Sequence, residues 1–118
     1  MSRDDRQRAR DILEAIDAIA AAESALARLS GDEAEAALAI DAVTYRVITI
    51  GEAVKDLSVA VLDGHPDVPW SRIARMRDLL THRYHRRDIQ VIRATVDEHL
   101  EPLRLACEAI VAGHHPSR

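Results

Sequence analysis

Phenylalanine is absent from this 118-residue chain and only Tyr45, Trp70 and Tyr84 are aromatic, so a hydrophobic core has to be assembled from Leu, Ile, Val and Ala. Such side chains suit close-packed helices. The single cysteine, Cys107, excludes an intramolecular disulfide. With no thiolate-activating neighbour in sequence, it reads as a small buried apolar residue. Apolar runs of membrane-spanning length are lacking, and the opening Met-Ser-Arg-Asp-Asp-Arg-Gln-Arg is too charged to precede the apolar part of a signal peptide. The cytoplasm is therefore the expected compartment. Strand alternation, internal repeats, a Gly-rich phosphate loop and low-complexity tracts are missing as well. No linker divides the chain, and 118 residues are too few for two ordinary domains, so a single domain over 1–118 is expected.

What is present is helical periodicity. Ser2 and Asp4 are candidate N-caps for a first helix with Ile12, Ile16, Ile19, Leu26 and Leu29 on one face, ending near Ser30-Gly31. Acids at 32, 33 and 35 favour a second helix start. Ile40, Val43, Val47, Ile50, Val54, Leu57 and Val61 then recur by threes and fours without a break. Gly51 falls in the middle of that run, where it costs about 0.5–1 kcal/mol against Ala and predicts a close approach of another helix. Beside it, Glu52 and Lys55 read as a solvated i, i+3 pair. The segment 63–69 is a loop, and Pro69 reopens a third helix whose buried stripe is Trp70, Ile73, Met76 and Leu80. Asp88 is a candidate N-cap for a fourth, with Ile89, Ile92, Val96, Leu100, Leu103, Cys107 and Ile110 inward and Pro102 expected to kink or split it near His99. Four amphipathic helices with short connections predict an all-α, antiparallel up-and-down bundle.

The net charge of -4 hides an uneven distribution: between Arg72 and Arg93 seven arginines face two acids, a local balance of +5 against -9 elsewhere. A cationic patch on an acidic body attracts polyanions locally. Within it, Arg77, His82 and Tyr84 bring a fixed cation, a group that titrates near neutrality and a hydroxyl within about two helical turns. Arg77, Thr81 and Tyr84 share one stripe; Asp78, His82 and His85 share the next. Arg77 and His82 are offset by about 140° on a regular helix. They converge only if the helix ends or distorts near Thr81, if the Arg side chain reaches sideways, or if a second copy supplies the missing group. Metal ligation by His82 with His85, or by His114 with His115, lacks a third ligand at a recognisable spacing. Ser24, Ser30, Ser58 and Ser71 lack the context of a hydrolase nucleophile. An Arg-rich helix C-terminus that merely faces solvent stays open on spacing alone.

The pattern Arg77-x4-His82-x-Tyr84, preceded by Pro69-Trp70-x-x-Ile73-x-x-Met76 and followed by Asp88, resembles the HepT-like toxins of the HEPN superfamily. Ile50-Gly51-Glu52-Ala53 and the helix with Pro102-Leu103 share the likeness, which covers nearly the whole chain in order. The resemblance implies a HEPN-like bundle, a homodimer, and the toxin component of a type VII toxin–antitoxin system. It also implies a metal-independent endoribonuclease, without cofactor, with Arg77 and His82 as catalytic residues at a cleft shared by two chains. Tyr84 would be AMPylated by the antitoxin, a minimal nucleotidyltransferase of the MntA type. Arg75, Arg83, Arg86 and Arg87 would hold RNA phosphates. Asp78 stands where the family usually has Asn and either orients His82 or neutralises Arg77; Arg83 stands where Gly often follows the His. The alternative is a non-catalytic helical partner of a nucleotidyltransferase that binds nucleotide or RNA through its arginines.

Overall fold

Helix propensity and the three-four spacing of the aliphatic residues are realised along almost all of the described residues. In the computed structural model, which describes residues 3–28, 33–82 and 89–113 (without the side chains of 3, 79, 81, 82, 89–93, 95 and 96), the elements are α1 (Arg3–Arg28), α2 (Glu33–Lys55), α3 (Val59–Gly64), α4 (Trp70–His82) and α5 (Ile89–Ala112). The result is an all-α up-and-down bundle of four main helices plus the single short α3. α2 lies in the centre, packed on α1 and α4, and α1 also packs on α5.

Most of the described positions that the periodicity turns inward are buried, while Leu26, Ile40, Met76 and Leu100 are only half-buried and Leu29, Ile89, Ile92 and Val96 lie outside the described side chains. Ile12, Val47, Val61, Ile73, Leu103, Cys107 and Ile110 are all but fully buried, each aliphatic among them contributing roughly 1.5–3 kcal/mol by leaving water. Trp70 is buried too, and its indole N–H donates to the His65 carbonyl at 3.0 Å. The tryptophan thus closes the loop before α4 while filling the core. From Ala20 to Ala42, by contrast, no described residue is buried, so the far end of the α1–α2 hairpin stands outside the core.

Four expectations about the elements need correction. The second helix does not run unbroken to Val61: α2 stops at Lys55 and α3 begins at Val59. The physical reason is a clamp that periodicity cannot display. Ser58 takes an extended conformation and caps α3 by accepting from the Val61 N–H, while its own N–H and hydroxyl both donate to the buried Asp5 carboxylate, at 2.9 and 2.8 Å. Because α3 absorbs Asp63 and Gly64, the loop shrinks to 65–69. Finally, Pro102 does not split the last helix, which continues from Ile89 to Ala112. Both Pro102 and Glu98, whose carbonyl loses its donor, are exposed, so water can satisfy that carbonyl. At the N-terminus α1 starts at Arg3, so Asp4 lies inside the first turn, where its charge favours the helix dipole.

Candidate functional site

The candidate site is built where α4 crosses α2. A Cβ placed on Gly51 would overlap the Arg77 Cβ and lie 3.3 Å from its Cγ and 3.4 Å from its Cα. The absent side chain at 51 therefore lets the backbone of α4 settle against α2 at Arg77 itself. The close approach read from a mid-helix glycine is confirmed, and its partner is the residue singled out for chemistry. Arg77 is held with 30% of its side chain exposed, the guanidinium Nε being buried.

One turn after Gly51, on the same side of α2, Lys55 reaches across the crossing. Its Nζ donates to Asp78 Oδ1 at 2.6 Å, and the same oxygen accepts from Arg77 Nη1 at 3.2 Å. The expected pairing of Lys55 with Glu52 is thus replaced by an interhelical one. Hydrogen bonds from Lys55 first, then from Arg77, hold the Asp78 carboxyl below its ordinary value. A lowered folded-state pKa makes the network's contribution present above the unfolded Asp value of about 4, to be lost as pH falls through the folded value. Of the two roles open for Asp78, contact with Arg77 is observed; the imidazole of His82 lies outside the described side chains.

α4 remains helical through His82. The about 140° offset between Arg77 and His82 therefore persists in one chain, and helix termination at Thr81 does not remove it. Arg75 is on the exposed face of α4. Arg83, Tyr84, Arg86 and Arg87, and the proposed cap Asp88, lie outside the described residues. Cys107 is buried and its thiol is pushed up to about 12 by desolvation first and then by the Glu108 charge, which fits an inert core residue. Among the described residues no cluster of His, Cys, Asp and Glu is placed to hold a metal ion, and no helix is long and apolar enough to cross a membrane. Two hollows lie away from the crossing. One, of about 620 Å³, is between the loop at 65–68 and α5 near Pro102 and Leu105; the other, of about 360 Å³, is between α1 and α2 beside Arg8, Tyr45 and Glu52.

Comparison with known proteins bears on this geometry. A family model described as "Ribonuclease HepT-like" matches residues 12–110. A protein of Thermococcus cleftensis named a probable ribonuclease HepT is 40% identical over 63 residues, 53% of this chain and 57% of its own length. A protein of Methanocaldococcus jannaschii named as a candidate RNase is 41% identical over 51 residues, 43% of this chain and 42% of its own. Another candidate RNase, from Caldanaerobacter subterraneus, is 37% identical over 62 residues, 52% of this chain and 55% of its own. The chain spans about half the length of the curated relatives it matches. No solved structure gives a significant match.

Proposed function

We propose, from the premise that this chain belongs to the ribonuclease HepT-like family, that it is a metal-independent endoribonuclease and the toxin of a type VII toxin–antitoxin pair. The observation that carries the reading is the placement of Arg77. Its guanidinium is set at a tight helix crossing, five residues before His82 on a helix that stays regular through both.

In the proposed step the RNA 2′-oxygen attacks the adjacent phosphorus and the P–O5′ bond breaks. One His82 takes the 2′-hydroxyl proton, a second copy's His82 gives a proton to the departing 5′-oxygen, and Arg77 stabilises the added charge on the phosphorane. The products are a 2′,3′-cyclic phosphate and a 5′-hydroxyl. DNA lacks the attacking group and is left intact. The persistent Arg77–His82 offset supports a two-fold homodimer in which the two motifs meet in one cleft. Arg75, Arg83, Arg86 and Arg87 extend the cationic surface for flanking phosphates. Tyr84 is assigned as the hydroxyl to which a minimal nucleotidyltransferase antitoxin attaches AMP, each adding about one negative charge and a base that fills the phosphate cleft.

Purified protein in excess EDTA is expected to cut single-stranded RNA, and Arg77→Ala or His82→Ala to abolish the cut. Loss of activity with EDTA, or survival of both variants, overturns the assignment. Salt-sensitive RNA binding by a wild type that never cuts would make the chain a non-catalytic binding subunit instead. Co-expression with the transferase should add whole AMP masses that vanish in Tyr84→Phe.

A further inference from the structure

We infer that Lys55 is a positioning residue of the candidate site, keeping Arg77 cationic toward phosphate by holding the Asp78 carboxylate on α2. This rests on the ribonuclease reading and deepens it.

The sequence already marks the position. Of sixteen basic residues, fifteen are arginine, and Lys55 is the one lysine. It sits one turn beyond Gly51, where α4 packs tightly against α2, on the stripe of α2 that faces Arg77 and Asp78. An ammonium is a compact point charge that satisfies one carboxylate oxygen, whereas a guanidinium fork tends to claim both. The observed geometry is of the first kind: Lys55 Nζ and Arg77 Nη1 converge on Oδ1 of Asp78 at 2.6 and 3.2 Å. The shorter contact is to Lys55.

The charge balance gives the pair its consequence. Asp78 adjoins Arg77 in sequence and accepts from it, so without Lys55 its carboxylate would offset more of the guanidinium charge that a phosphate meets. With Lys55 the trio carries one net positive charge. The lysine also anchors the carboxylate to a second helix, so that Asp78 cannot swing fully onto the guanidinium when the phosphorane forms. The effect belongs to charge developing in the transition state, so it should appear in kcat more than in KM.

Lys55→Met is expected to lower kcat for RNA cleavage about tenfold with little change in KM, because transition-state charge is less well stabilised. Its thermal midpoint should stay within about 2 °C of wild type, since exposed ion pairs add little stability. Lys55→Arg should keep activity within about threefold of wild type, because charge is retained. The deciding measurement is the cycle with Asp78→Asn. In that background Lys55→Met should cost nothing further, because a lysine that acts through the carboxylate has no role once the carboxylate is neutral. A second readout is independent of turnover. Reductive dimethylation with labelled formaldehyde leaves one lysine side-chain NMR signal, which should move when Asp78 titrates at acid pH and stay still in Asp78→Asn. Full activity of Lys55→Met in a cleaving wild type, or an additive loss in the double variant, overturns the inference alone. A wild type that leaves RNA intact overturns the ribonuclease reading and takes this inference with it.

Discussion

At the scale of single residues, Gly51 and Arg77 form one feature written in two helices. A methyl at Gly51 collides with the Cβ of Arg77, an atom that no rotamer change can move, so the backbone of one helix has to shift. Gly51→Ala should therefore lose about 1–3 kcal/mol to overpacking, offset by the roughly 1 kcal/mol that alanine gains in a helix. Thermal unfolding should show a small net loss, while RNA cleavage should fall by far more because α4 is displaced at Arg77. Wild-type cleavage in Gly51→Ala would refute the coupling. The glycine was legible in sequence because a helix tolerates that residue in its middle only for a reason. Lys55 was not. Its carboxylate partner lies 23 residues away on another helix, and local spacing offered Glu52 three residues before it. Position 55 lies one turn from the crossing at Gly51, and it is that register, not the sequence-local acid, that decides which neighbour it faces.

Among the elements, the aliphatic periods foretold which faces are buried far better than where helices stop. Val54, Leu57 and Val61 keep the three-four rhythm across the gap between α2 and α3, so nothing in the pattern announces the break. The break is made by a serine cap and a carboxylate from the far end of the chain. Pro102 illustrates the converse: a residue that usually interrupts helices was accommodated because it faces solvent. Ser58→Ala should destabilise the fold by about 1 kcal/mol or more, through the lost cap and the lost hydroxyl donor to Asp5. Asp5→Ala should cost about 1–3 kcal/mol because the Ser58 N–H loses its acceptor. Denaturant midpoints of the two single variants and the double variant test the clamp; strictly additive losses would show that the two residues do not act together.

For the molecule as a whole, fold and family were readable from apolar spacing and one short motif, whereas the assembly of the site was only implied by an angle. Positions 77 and 82 are offset by about 140° around a helix that runs through both, which a second copy can compensate. Mixing Arg77→Ala protein with His82→Ala protein should restore RNA cleavage that neither has alone; a mixture as inactive as its components would exclude residues shared between chains. The clamp between Asp5 and Ser58 also has a kinetic meaning. It joins positions 53 residues apart, so its formation requires closing a long loop of chain. A contact of that kind is expected to form after the rate-limiting barrier, so weakening it should leave refolding almost unchanged and accelerate unfolding. In stopped-flow experiments Asp5→Asn should shift only the unfolding limb of the chevron. The first turn of the chain would then be the last piece fastened, and the clamp would set how long the native state survives once folded.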